Sequence, residues 1–272
     1  MKVLISVPAC PLFERPDFQS LLSDEVLCGT VCEMVGSPCP GWYRIRTPYR
    51  YEGYAPSGCL LPDEDAALRW AALERKVVLG KNWCDILSQP TYQSTLLLTL
   101  PRGGIVAPLE QPEDGWVKVA LCDGRTGYTK STILSPYYES PIDLPEPELR
   151  QRLVDTAMLY QGTPYRWGGK TPQGLDCSGL TSMVYLLNGI VIFRNSKLMP
   201  GFPIRPIPLE QAKPGDLVYF TGHIGLYLGQ RRYLHVTGRM GSDGVTVNSL
   251  DPEAPDFRPD LLETFLTAGT YF

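Results

Sequence analysis

The stretch Gly174–Tyr185 reads GLDCSGLTSMVY. Its one cysteine, Cys177, follows an aspartate and precedes a serine. Beyond it Leu180, Met183, Val184 and Leu187 recur at helical spacing, and Asn188-Gly189 stops the run. Cys177 is therefore placed at or just inside a helix N-terminus, with Asp176 and Ser178 as natural capping residues. First-turn amides have no intrahelical acceptor, and together with the helix dipole they stabilise an anion. A thiol at such a place is expected to be more acidic than usual and a better nucleophile near neutral pH.

A nucleophilic cysteine needs a base. The 272-residue chain holds two histidines, His223 and His235, both downstream of Cys177. They stand in DLVYF-TGHIGLYLG and RRYLHVTG, segments whose alternation reads as strands. A turn near Gly229-Gln230-Arg231-Arg232 would set them on neighbouring antiparallel strands. A cysteine at a helix start followed by histidines on a sheet is the order of a papain-like site.

Composition excludes several classes. With 43% hydrophobic residues, 20% charged and a net charge of -4, the chain reads as an ordinary globular protein without a basic nucleic-acid surface. No stretch approaches the roughly 18 apolar residues of a membrane span. MKVLISVPAC offers only Val3–Val7 before Pro8, short of the about 7–15 apolar residues of a secretory core. A cytoplasmic protein is the expectation. The eight cysteines are scattered, and Cys28-x-x-x-Cys32 has no second ligand pair and no nearby histidine. Reduced, mostly buried thiols are expected, with no disulfide framework, metal or cofactor.

The 26 prolines and 26 glycines favour many short strands joined by tight turns. An ungapped repeat supports this: GWYRIRTPYRYEGYAPSGCL (41–60) and GWVKVALCDGRTGYTKSTIL (115–134). Each copy reads as a half-buried strand followed by a returning one. The copies close two small all-β domains, at 1–62 and 76–135, which resemble bacterial SH3-like domains. DEDAALRWAALER (63–75) reads as a helix between them, and 136–147 as a proline-rich linker. ELRQRLVDTAMLYQG then puts Leu149, Leu153, Ala157 and Tyr160 on one helical face, opening a third domain at 148–272.

In that third domain YRWGG, DCSG, PGDL, GHIG and YLHVTG together resemble the NlpC-type cysteine peptidases, which cut bacterial cell-wall peptides. The likeness spans about 148–240. It implies an α+β, papain-like fold with a helix packed on an antiparallel sheet. It also makes Cys177 the nucleophile, His223 the general base and later acid, and His235 the residue that orients His223. The backbone N–H of Cys177 and the side chain of Tyr165 are the candidate oxyanion donors. Tyr165 and Trp167 would line the site. Asp176 and Ser178 would touch substrate, and Ser196 would meet a γ-D-Glu carboxylate.

Two SH3-like domains before such a catalytic domain resemble one branch of the family, the γ-D-glutamyl-L-diamino-acid endopeptidases of wall-peptide recycling. The implied substrate is a murein tripeptide with a free N-terminal L-Ala, cut between γ-D-Glu and diaminopimelate or lysine. The free amine calls for an anionic partner. Glu52, which aligns with Thr126 of the second repeat copy, is the candidate, with Tyr51 beside it. Two other readings stand: a secreted peptidoglycan hydrolase with wall-binding SH3-like domains, and a catalytically inactive wall-peptide binding protein.

Overall fold

The computed structural model describes residues 1–272. They form two compact units, 1–137 and 138–272.

The first unit contains two seven-stranded antiparallel sheets. One is built from β1 (Lys2–Ile5), β2 (Ala9–Phe13), β3 (Leu22–Leu27), β4 (Val31–Cys39), β5 (Trp42–Arg46), β6 (Glu52–Pro56) and β7 (Leu60–Leu61). The other is built from β8 (Lys76–Val78), β9 (Trp83–Leu87), β10 (Leu96–Pro101), β11 (Ile105–Pro108), β12 (Trp116–Ala120), β13 (Thr126–Lys130) and β14 (Leu134–Pro136). Their orders are β3-β2-β6-β5-β4-β1-β7 and β10-β9-β13-β12-β11-β8-β14. The second order is the first shifted by seven strands, so the sequence repeat is also a repeat of topology.

Matched residues of the two copies do matched jobs. Ile45 and Val119 are both fully buried. Gly53 and Gly127 lie where a Cβ would come within 2.9 Å of Leu12 and 2.7 Å of Ile86. In each sheet this lets the returning strand press against its neighbour. Helix α1 (Glu64–Ala71) joins the sheets. Asp63 caps it, accepting from the Ala66 N–H at 2.8 Å, and Trp70 donates from Nε1 to the Gly29 carbonyl at 2.8 Å. Residues 72–75, read as helical from the sequence, lie beyond its end.

The second unit opens with α2 (Glu146–Met158). It begins two residues before the expected boundary, because Pro147 is compatible with a helical first turn. Leu149, Leu153, Ala157 and Tyr160 are all buried. A short hairpin, β15 (Lys170–Thr171) and β16 (Gly174–Leu175), leads into α3 (Cys177–Leu186). Gly189, at φ +75°, turns the chain after that helix.

A six-stranded antiparallel sheet completes the unit in the order β17-β22-β18-β19-β20-β21. Its strands are β17 (Arg205–Ile207), β18 (Leu217–Phe220), β19 (His223–Gly229), β20 (Arg232–Thr237), β21 (Gly244–Ser249) and β22 (Phe265–Thr270), with helix α4 (Pro259–Glu263) before the last. Helix α3 packs against α2 on one side and against β19 and β20 on the other. It is therefore buried from Ser178 to Tyr185 on every face, not along one stripe. Thr181 and Ser182 satisfy their hydroxyls on carbonyls of the preceding turn. No helix is long and apolar enough to cross a membrane.

Candidate active site

Cys177 is the first residue of α3, and Asp176 is its N-cap. The Asp176 carboxylate accepts from the N–H of Gly179 at 2.5 Å and of Gly168 at 2.9 Å, and from the Ser178 hydroxyl at 3.0 Å. A buried guanidinium grips it from the other side. Arg194, 1% exposed, reaches Oδ1 at 3.1 Å and Oδ2 at 3.2 Å, and also donates to Ser178 Oγ and the Gly168 carbonyl. The sequence reading assigned Asp176 and Ser178 to substrate contact. In the structure both are engaged in holding the helix start against the Gly168–Gly169 turn. Gly179 allows the close approach, since a Cβ there would collide with the Gly169 carbonyl.

The histidines stand on adjacent strands. Gly225 pairs with His235 in the β19–β20 register, so His223 lies two residues along on the same face. The strands are joined through Gln230 and Arg231, at φ 51° and 60°, as the twist of a two-residue hairpin requires. His223 Nε2 is 2.7 Å from His235 Nδ1, with the rings nearly perpendicular at 89°. His235 Nε2 is 2.9 Å from Asn248 Oδ1, and Asn248 Nδ2 donates to the Asp256 carbonyl at 2.8 Å.

The backbone N–H groups of Ile224 and Ser178 lie near the Cys177 thiol and favour its charged form. The first puts the thiol at the start of β19, where Ile224 follows His223 in sequence. Burial, reinforced by the Asp176 charge, pushes this thiol up to about 11 despite those two donors and Arg194. The expected acidifying effect of the helix start and of Arg194 acts in the opposite direction, toward the thiolate. Burial also pulls His223 down to about 4 and His235 to about 3, helped by Arg258 and, for His235, by its histidine neighbour. A neutral imidazole can take the proton of a thiol as the sulfur attacks.

Tyr165 is half-buried near the thiol, and its own hydroxyl is pushed up by burial and by the Cys177 and Asp176 charges. Its ring covers Gly238. Trp167 is 61% exposed, so it is not a core residue. Ser196 is half-buried, two residues beyond Arg194. In the first unit, Glu52 is held by Arg44 at 2.7 Å and by Arg46 at 2.7 Å, which keep its carboxyl below the usual range. It is an ion-paired carboxylate there. The Tyr51 hydroxyl donates to the Ser23 carbonyl at 3.4 Å. Sequence reasoning missed Arg194 and Asn248. A lone arginine in the apolar run GIVIFRN was the available signal for the first.

Comparison with known proteins agrees with this geometry. The sequence profile of the NlpC/P60 family matches residues 162–255. Dipeptidyl-peptidase 6 of Lysinibacillus sphaericus is 38% identical over 275 residues, covering 100% of both chains. The γ-D-glutamyl-L-lysine dipeptidyl-peptidase of Bacillus subtilis is 29% identical over 140 residues, which is 48% of this chain and 44% of that one. The crystal structure of an NlpC/P60 family protein from Bacillus cereus superposes with a TM-score of 0.82 at 20% identity, covering 100% of this chain and 99% of that chain. With its cysteine on a helix start and its two histidines on the adjoining sheet, this chain belongs to the NlpC/P60 family and is a cysteine peptidase.

Proposed function

We propose that the protein is a γ-D-glutamyl-L-diamino-acid endopeptidase that releases L-Ala-γ-D-Glu from murein peptides with a free N-terminus, in cytoplasmic wall-peptide recycling. The observation that carries this reading is the end-to-end similarity to a dipeptidyl-peptidase, N-terminal β domains included. The name of the Bacillus subtilis relative supports the γ-D-glutamyl bond and a diamino acid on its far side, lysine or the related diaminopimelate. Cys177 attacks the amide carbonyl while His223 takes the thiol proton. The tetrahedral oxyanion is met by the Cys177 backbone N–H and Tyr165. His223 then protonates the leaving amine, and water hydrolyses the thioester. Trp167 and Ser196 are proposed to line the substrate cleft, Ser196 at the γ-D-Glu carboxylate. The first-unit β domains are read as SH3-like.

Cutting after a dipeptide requires a reader for the free amine. Glu52 is the proposed reader, with Tyr51 beside it. Its arginine partners keep it ionised, and exposed ion pairs of this kind are weak enough to admit a further cation. The test is mass spectrometry of products from L-Ala-γ-D-Glu-diaminopimelate and its lysine analogue, each free and N-acetylated. Cleavage of the free forms alone is expected. Equal cleavage of the acetylated forms overturns the amine-gated reading, and cleavage of intact sacculi favours a wall hydrolase instead. Glu52→Gln is expected to raise KM for the free peptides several-fold, on the scale of one charge-assisted hydrogen bond, with kcat unchanged. An unchanged KM removes Glu52 from the site.

A further inference from the structure

Past the two histidines the hydrogen-bonded row continues, and its far end has a direction. The Asp256 carbonyl oxygen has no proton to give, so it must receive one from Asn248 Nδ2 at 2.8 Å. That fixes the Asn248 amide and turns Oδ1, an acceptor, toward His235 at 2.9 Å. His235 is fully buried and meets this acceptor with Nε2–H. A neutral imidazole with its proton on Nε2 has a bare Nδ1. His235 Nδ1 therefore accepts from His223 Nε2 at 2.7 Å. With His223 Nε2 occupied as a donor, Nδ1 is the one ring nitrogen left to take the thiol proton.

We infer that Asn248 is a positioning residue that sets the tautomers of both histidines, so that His223 keeps an unprotonated Nδ1 for Cys177. This rests on the reading of His223 as the general base. Other charged and titratable groups face the pair: Cys177 and Asp176 from α3, Tyr233 from β20, and Arg258 with Asp260 at α4. Arg258 and Asp260 act on the histidines with opposite sign. None of these groups selects one nitrogen of His235 over the other; the Asn248–Asp256 pair does.

Removing the amide acceptor reverses the row. In Asn248→Leu the His235 proton gains a partner only by moving to Nδ1, where it donates to His223 Nε2. His223 must then carry its own proton on Nδ1, and the base is blocked. Asn248→Asp keeps an acceptor for His235 Nε2–H and adds a negative charge, which favours the imidazolium form.

Because the chain has two histidines, ¹⁵N-histidine NMR of the full-length protein at neutral pH shows two imidazoles. The wild type is expected to show both as Nε2–H tautomers, and N248L to show His235 as Nδ1–H. A wild-type Nδ1–H form of His235, or an N248L spectrum like that of the wild type, overturns the inference. On L-Ala-γ-D-Glu-L-Lys, N248L is expected to lose about 10²-fold in kcat with KM unchanged. N248D is expected to stay active, with the acidic limb of kcat/KM moved to higher pH. Equal losses in both variants with an unmoved limb would assign Asn248 a purely structural role. Should N248L fail to fold, the limb of N248D decides alone. If the tautomers follow as expected and the wild type cleaves no wall peptide, the substrate reading fails and the role of Asn248 stands.

Discussion

At Cys177 two effects compete. A helix N-terminus stabilises a partly buried anion by up to about 2 kcal/mol. Burial can move a pKa by several units in the other direction. Here burial wins, and the thiol stands near 11 rather than below its ordinary 9.0. Deprotonation is then expected to accompany the attack itself, without a preformed thiolate–imidazolium pair. Iodoacetamide modification of Cys177 should rise about tenfold per pH unit between pH 7 and 9, following the thiolate fraction. A rate that is flat from pH 6 upward would mean the thiolate is already formed. The capping role of Asp176 could be read from the motif, and the position of Cys177 with it. The depth of burial could not, because it depends on β19 closing over the helix start.

At the scale of elements, α3 owes its placement to a residue outside it. Arg194 lies in the segment after the helix and returns beneath its first turn, where it grips both oxygens of Asp176. Taking away one partner of a buried ion pair leaves the other uncompensated, at a cost of about 3–5 kcal/mol. Arg194→Met should lower the stability of the catalytic unit by that order in urea denaturation and abolish cleavage with it. A variant with wild-type stability would show that the Asp176 network is dispensable. Helix α3 itself was legible from its apolar spacing, and the β19–β20 hairpin from alternation and a turn. Arg194 and Asn248 were not, since neither has a periodic neighbour that marks it. Their meaning comes from partners 18 and 13 residues away in sequence.

For the molecule as a whole, the two histidines predict how stability varies with pH. Both are held neutral in the folded state, near 4 and 3 against an ordinary 6.5. Because these values lie below those of the unfolded chain, their contribution is complete above about pH 6.5 and is lost as pH falls through 4 and 3. For fully buried His235 the loss is on the order of a few kcal/mol. The melting temperature should fall between pH 6.5 and 4, and His235→Asn should flatten that part of the curve. An equal fall in the variant would place the acid sensitivity elsewhere, among the carboxylates.

The sequence by itself determined the local pattern: an ungapped repeat that became two sheets of identical strand order, a helix starting at Cys177, and histidines in strands. These follow from periodicity, turn chemistry and capping, which act over a few residues. Tertiary structure decided what those residues can do. It set how far the thiol and both imidazoles are withdrawn from water, tied Asp176 to Arg194, and joined Glu52 to two arginines. It also ran a row of hydrogen bonds from His223 to the Asp256 carbonyl. Each of these depends on burial and on partners brought together by the sheet, and neither is encoded within the few residues that make a motif.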